Sequence, residues 1–291
     1  MNFKDKLTYR ILNKFSKLTG KLTENTREKL AIYLAGFFYY FVPIRKKQAM
    51  ENIKKAFPDK DSKWIKEQLK GAYRIVTNNF IDFLSISKSF SKMEFIIENQ
   101  NILYNAIHKN KGVLLITGHF GLWEKWGSWL GKSNYDIWGV IQKQANKGAD
   151  IFFKEIRESY GMSHIYRKSS VSKIYDLIKN NKIIILASDQ NAKKRGVIVD
   201  FFENKTSVPK GAALFHLRTD VPLIFSVSHK ELDGTIVISF ENINVESKSI
   251  EGITQDYTSK LEDKIRQYPD HYFWFHRKWS RIIENEKKNY K

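Results

Sequence analysis

Cysteine is absent from all 291 residues. Without thiols the chain has no disulfide, no thiolate nucleophile and no cysteine-ligated zinc site. The histidines do not follow a zinc-ligand spacing either, so the sequence predicts no bound metal. Acidic residues are outnumbered, with 31 Asp and Glu against 50 Lys and Arg, a formal net charge of +19. That surplus favours an acidic partner, whether an anionic membrane, an acidic carrier protein or a nucleic acid.

A long hydrophobic run is also missing. The longest uncharged stretch, residues 30–44 (LAIYLAGFFYYFVPI), has 15 residues, whereas a spanning helix needs roughly 20. The N-terminus lacks the apolar core and cleavage site of a secretory signal. Residues 1–20 instead predict a basic amphipathic helix, which either lies in a membrane interface or packs on the protein's own core. Its apolar positions are Phe3, Leu7, Ile11, Leu12, Phe15 and Leu18.

The two N-terminal segments together predict a membrane-docking region over residues 1–44, followed by a single domain over residues 45–291. A helix is expected to start near Asp61 or Ser62, after Pro58. Beyond residue 95, short apolar runs alternate with amphipathic stretches. This alternation indicates an α/β domain with a mostly parallel sheet flanked by helices. The expected strands are 95–97, 112–117, 137–142, 183–188 and 222–228, and the expected helices are 121–131, 146–160, 170–180, 209–219 and 254–268. Asp233-Gly234 predicts a hairpin, which makes the sheet mixed.

His119 and Glu124 come shortly after the apolar run 113–117. In such a sheet, ligands bind at the carboxyl ends of the strands, in the loops that follow them. Five positions correspond to roughly 500° of helix rotation, so the two side chains would not share a helix face. They can meet only if His119 precedes the helix and Glu124 lies in its first turn. In that arrangement a carboxylate-held imidazole can act as a general base on a hydroxyl. The alternative is an ordinary strand-to-helix turn with an acid favoured by the helix dipole.

Other polar residues also follow expected strands. Asp189 and Gln190 come directly after 183–188, and Arg167 and Lys168 end another short extended stretch. Arg277 lies in the aromatic and basic segment YFWFHRKWS. Each of these residues also has a purely structural interpretation, such as a turn cap for Asp189 or a solvated loop for the basic residues.

Five segments in order resemble the bacterial lipid A biosynthesis acyltransferases, a branch of the lysophospholipid acyltransferase superfamily. GHFGLWE is similar to that family's His-x4-acid motif in its Glu form, and the resemblance covers about residues 30–280. The other four segments are RKKQAMENIKKAFPDKD, DQNAKKRGVIVDFF, FFENKTSVPKGAALFHLRTDVPLI and WFHRKW. Asn191 and Lys278 depart from the family pattern, which commonly has a second acidic residue and a second Arg there.

The resemblance implies a glycerol-3-phosphate acyltransferase-like fold and a specific reaction. A fatty acyl chain would pass from an acyl carrier protein thioester to a lipid A precursor hydroxyl. His119 would be the general base and Glu124 would orient it. The implied substrate-binding residues are Arg167, Lys168, Asp189, Gln190 and Arg277. No cofactor is required.

The implied partners are acyl carrier protein, an anionic membrane surface and a phosphorylated glycolipid. The implied location is the cytoplasmic face of the bacterial inner membrane. Within acyl transfer, an acyl-CoA donor and another glycolipid or phospholipid acceptor, such as a phosphatidylinositol mannoside, stay open. A membrane-bound hydrolase and a catalytically inactive scaffold stay open as well. Nucleic-acid binding is not expected, because no helix-turn-helix, zinc finger or RNA-binding aromatic motif is present.

Overall fold

A seven-stranded sheet forms the centre of the protein. The computed structural model describes residues 1–89, 94–167, 169 and 171–279. In chain order the sheet strands are β1 (Phe95–Glu98), β2 (Val113–Thr117), β3 (Ile137–Ile141), β4 (Met162–Tyr166), β5 (Ile183–Ala187), β8 (Leu223–Lys230) and β9 (Ile236–Asn242). A separate antiparallel ribbon consists of β6 (Val197–Phe201) and β7 (Asn204–Val208).

The sheet order is β1-β9-β8-β2-β5-β3-β4. Every neighbouring pair is parallel except β8 and β9, which form an antiparallel hairpin with Lys230 opposite Ile236. The α/β prediction with a mostly parallel, mixed sheet is therefore confirmed. The hairpin turn contains Asp233-Gly234, where Gly234 has φ of 98°, a conformation that glycine adopts readily.

Helices cover both faces of this sheet. In chain order they are α1 (Phe3–Thr19), α2 (Glu24–Tyr40), α3 (Lys46–Ala56), α4 (Ser62–Ser89), α5 (Gln100–Ile107), α6 (Trp123–Lys132), α7 (Lys147–Ser159), α8 (Val171–Lys179), α9 (Gly211–Thr219) and α10 (Ile250–Gln267). Asp61 caps α4, because its Oδ1 accepts the amide of Trp64 at 2.7 Å.

Strand β2 lies between two hydrophobic cores, one on each face of the sheet. Leu114 and Ile116 belong to one cluster, and Val113 and Leu115 belong to the other. All five residues of β2 are buried, as expected for a strand with helices on both sides. This strand carries the His119 loop at its carboxyl end.

The N-terminal helices pack on the domain through one side only. Tyr9 and Leu12 of α1 contact the core cluster that contains Val113 and Leu115. The Tyr9 hydroxyl donates to Glu155 at 2.8 Å. Leu12 thus lies on the packed side, not on the exposed face with the other apolar positions. Phe3, Leu7, Ile11, Phe15 and Leu18 remain exposed. Among the described residues, no helix has both the length and the apolar character needed to cross a membrane.

Candidate active site

His119 lies in the short loop between β2 and α6. It precedes the helix by four residues, and Glu124 occupies the first helical turn, as the spacing predicts. The loop turns sharply at Gly121, where φ is 60°. A Cβ at this position would lie 1.7 Å from the carbonyl oxygen of Ser228, so only glycine fits. The segment after α10 runs alongside, because the amide of Phe273 donates to the His119 carbonyl at 2.9 Å.

The imidazole of His119 is held by Asp189. Its Nδ1 lies 2.8 Å from the Asp189 Oδ1 atom, and Asp189 follows β5, the strand next to β2. The Asp189 side chain is fully buried, whereas 27% of the His119 side chain is exposed. An Nδ1–H that donates to a carboxylate leaves Nε2 as the proton acceptor. This is the arrangement of a general base held by a buried acid.

Charge and burial oppose each other at this pair. Burial disfavours the charged imidazole, but the charge of Asp189 and its hydrogen bond outweigh burial and raise the pKa of His119. Burial similarly works against the Asp189 carboxylate, yet His119 brings its pKa well below the usual range. Asp189 is therefore ionised at neutral pH. Burial and then the nearby Asp189 charge raise the pKa of Tyr272, so the Tyr272 phenol stays protonated.

Glu124 does not orient His119, which corrects the expectation from the sequence. Its Oε1 accepts from Arg157 of α7 at 2.6 Å, and the Tyr160 hydroxyl lies 3.5 Å from its Oε2. The amide of Glu124 donates to Asn79 of α4. Glu124 thus ties α6 to α7 and α4. Asp189, expected to bind the acceptor, occupies the orienting position instead.

The segment 274–279 brings His276 beside His119 and Lys278 beside Asp189. The His276 ring centroid is 5.2 Å from that of His119. Burial lowers the pKa of His276 to about 4, so this imidazole is neutral at pH 7. The Asn52 side-chain amide of α3 fixes the segment by donating to the carbonyls of Trp274 and His276 at 2.6 and 2.7 Å. The sequence pattern WFHRKW marked this segment, but only Arg277 was expected to act in the site.

Two aromatic rings lie close to the partly exposed His119 ring. Trp123 and Phe273 lie 5.7 and 6.1 Å from its ring centroid. They are 6.2 Å from each other and nearly perpendicular. The imidazole therefore emerges beside an apolar surface, which suits an alkyl chain better than a charged group.

The remaining predicted site residues lie farther from His119 or at its margin. Gln190 is half-buried beside Asp189, and Arg277 is exposed. Arg167 is exposed at the end of β4, three strands from β2, a separation of about 14 Å. It lies at the same end of the sheet as His119, after the carboxyl end of its strand, but it is not part of the group formed by His119, Asp189 and His276. Lys168 lies outside the described residues.

Three side chains of the site also offer metal-ligand atoms. His119, Asp189 and His276 present atoms that all lie within 4.8 Å of one another. Two imidazoles and a carboxylate are a donor set that zinc accepts. However, the Nδ1 of His119 is already hydrogen-bonded to Asp189. That bond suits acid–base chemistry directly, and no step of it requires a metal.

Comparison with known proteins identifies relatives and a family for this chain. The chain is 23% identical over 190 residues to a phosphatidylinositol mannoside acyltransferase of Mycolicibacterium smegmatis, a match to 64% of this chain and 62% of the relative. It is 21% identical over 192 residues to a protein of the same name from Mycobacterium tuberculosis, covering 65% and 61%. The matched region thus spans less than two thirds of these relatives. Residues 6–281 match the family described as bacterial lipid A biosynthesis acyltransferase. Because that match takes in nearly the whole chain, the protein belongs to the bacterial lipid A biosynthesis acyltransferase family.

Proposed function

We propose that the protein transfers a fatty acyl chain from an acyl carrier protein thioester to a hydroxyl of a lipid A precursor. The observation that carries the proposal is the partly exposed His119 imidazole with its Nδ1 on the buried Asp189. Within an acyltransferase family, such a base has an evident role. A neutral imidazole beside a hydroxyl removes the proton that the hydroxyl must lose to become a nucleophile.

The reaction then proceeds in two steps. Nε2 of His119 takes the hydroxyl proton as the oxygen attacks the thioester carbonyl, and the carbonyl becomes a tetrahedral oxyanion. Asp189 stabilises the imidazolium that forms, as a buried acid does in other carboxylate-held bases. The oxyanion collapses, the carbon–sulfur bond breaks and the thiolate leaves. The imidazolium returns its proton to the thiolate, which restores neutral His119 and requires no cofactor.

The positive charge of the protein fits the same proposal. A net charge of +19 attracts an acidic carrier protein, a phosphorylated glycolipid and an anionic membrane alike. Arg167, Lys168 and Arg277 are the proposed phosphate contacts, since basic side chains bind phosphate oxygens through charged hydrogen bonds. Gln190 is the proposed neutral contact to the acceptor. No nucleic acid is proposed as a partner.

The N-terminal helices support a membrane location. The Phe3, Tyr33 and Phe41 side chains are each at least 77% exposed, although they are large and apolar. An exposed apolar helix face with lysines beside it suits the interface of an anionic bilayer. We therefore propose that residues 1–44 lie against the cytoplasmic face of the bacterial inner membrane.

A second acceptor class is open to a direct test. The relatives are named for acyl transfer to phosphatidylinositol mannoside, so another glycolipid with an acyl-CoA donor is the second candidate. Both reactions use the same base and the same thioester chemistry. They differ only in the acceptor headgroup and in the donor's carrier.

The test is a crossed assay of the purified full chain in mixed micelles. Acyl carrier protein and coenzyme A thioesters are each combined with a lipid A precursor or with phosphatidylinositol mannoside, and products are identified by mass spectrometry. We expect one added acyl chain on the lipid A precursor from the carrier-protein donor. An acyl chain added to phosphatidylinositol mannoside alone would favour the second candidate. Full activity of His119→Ala would contradict the general-base role in both.

A further inference from the structure

Lys278 is a buried lysine directly behind the acid that holds His119. Only 2% of its surface is exposed. Its ammonium donates to the main-chain carbonyl of Asp189 and lies 4.5 Å from the centre of the Phe201 ring. A buried ammonium group is costly unless nearby groups compensate its charge. Here the compensating groups are the Asp189 carbonyl and carboxylate.

The contact between Lys278 and the Asp189 loop is reciprocal. The Asn191 side-chain amide donates to the Lys278 carbonyl at 2.7 Å. The Thr206 hydroxyl of β7 donates to the same carbonyl at 3.2 Å. The loop after β5 is thus tied to Lys278 at Asp189 and at Asn191. Removing the Lys278 ammonium would therefore loosen the main chain at Asp189, whereas the contacts to the carbonyl of residue 278 would remain.

We propose that Lys278 is a positioning residue, which fixes Asp189 against His119 and, through its positive charge, sets the pH range in which His119 serves as a base. This inference rests on the proposed function of His119. Lys278 acts through Asp189, because its ammonium donates to the Asp189 carbonyl and the Asp189 carboxylate in turn holds His119. Its contribution belongs to the rate of the chemical step and not to substrate binding.

The charges around Lys278 define the sign of this effect. Asp189 faces it from the β5 loop and His276 from its own segment, while Tyr257 of α10 lines the small cavity beside it. Burial lowers the pKa of Lys278 to about 8, and the Asp189 charge opposes that shift. At pH 7 the ammonium competes with the imidazolium for the Asp189 charge. Removing it strengthens the hold of Asp189 on the proton of His119, so the pKa of His119 rises.

The experiment compares Lys278→Met and Lys278→Arg with the unsubstituted chain. Acyl transfer is measured from pH 5.5 to 9.5 in mixed micelles. In K278M we expect kcat to fall about 10- to 100-fold with KM unchanged, and the acid limb of kcat/KM to move up by about one pH unit. Because the Lys278 ammonium loses its charge as pH rises past about 8, we expect the activity of the unsubstituted chain to decline above that pH. K278R should keep most of the activity and lose this decline, because a guanidinium stays charged there.

A second readout does not depend on catalysis. Imidazole NMR titration gives the pKa of His119, assigned by its absence in His119→Ala, and K278M should raise that pKa. Lys125→Met is the matched control, since Lys125 is equally buried but pairs with Asp82 and Glu24. That control should unfold at a lower temperature without moving the His119 titration.

The outcomes separate this inference from the proposed function. If the unsubstituted chain transfers no acyl group but K278M still raises the His119 pKa, the proposed function fails and the positioning role stands. If K278M keeps the kcat and the His119 titration of an active chain, the inference is overturned. Should K278M not fold, K278R decides, because an unchanged alkaline decline in that variant would contradict the role of the Lys278 charge.

Discussion

His119 is surrounded by groups that move its pKa in opposite directions. Burial and Arg157 lower it, whereas Asp189 and, more weakly, Glu124 raise it. The net effect is an imidazole that holds its proton to a higher pH than the ordinary value of about 6.5. A general base must be neutral to act, so activity rises as pH increases through this raised pKa.

Asp189→Asn should therefore change both the rate and the pH profile. Loss of the carboxylate removes the main group that raises the His119 pKa while burial remains, so the acid limb of kcat/KM moves to lower pH. At the same time kcat falls by about 100-fold or more, because the imidazolium loses its stabilising charge. Steady-state rates between pH 5 and 9 measure both effects. A D189N profile whose acid limb stays in place would contradict the pairing of Asp189 with His119.

Glu124 should behave differently from Asp189. Its ion pair with Arg157 leaves only 13% and 17% of the two side chains exposed, and losing one partner of a buried pair costs about 3–5 kcal/mol. Glu124→Gln should lower the free energy of unfolding by about 3 kcal/mol, measured by urea denaturation. Its acid limb should shift far less than that of D189N. A larger shift in E124Q than in D189N would restore the orienting role that the His-x4-Glu spacing suggested.

At the scale of elements, the turn from β2 into α6 determines where His119 lies. Gly121→Ala should disrupt this turn, because its Cβ would overlap the Ser228 carbonyl at a positive φ. We expect a loss of at least about 3 kcal/mol in unfolding free energy and a large loss of activity. Gly127→Ala is the matched control inside α6, where the nearest atoms are 3.8 Å away. It should be neutral or stabilising by up to about 1 kcal/mol. Equal effects of the two substitutions would contradict the steric argument.

The elements with strong local signals could be predicted from the sequence. The buried strand β2, the Asp233-Gly234 hairpin and the start of α6 after His119 all follow from short-range patterns. The ribbon of β6 and β7 could not, because its turn uses Phe202 and Glu203 at positive φ, residues that do not mark a tight turn.

The candidate site was predicted only in part, for a related reason. His119 and Asp189 are 70 positions apart and meet because β2 and β5 are neighbours in the sheet. Strand order is a long-range property that no local pattern encodes. Glu124 was the nearest acid in sequence, but Arg157, 33 positions away on α7, binds it instead. Proximity along the chain therefore favoured the wrong carboxylate.

At the scale of the molecule, the exposed apolar face of α1 is proposed to hold the active site near its lipid substrates. Leu7→Glu with Ile11→Glu should weaken binding of the full chain to anionic vesicles at least tenfold, since two exposed apolar side chains contribute up to about 3 kcal/mol on insertion. Vesicle co-sedimentation at several salt concentrations measures this loss. Leu232→Glu is the matched control, because Leu232 is fully exposed in the β8–β9 turn and should leave binding unchanged. Equal loss in both proteins, or none in the α1 variant, would place membrane contact elsewhere on the surface.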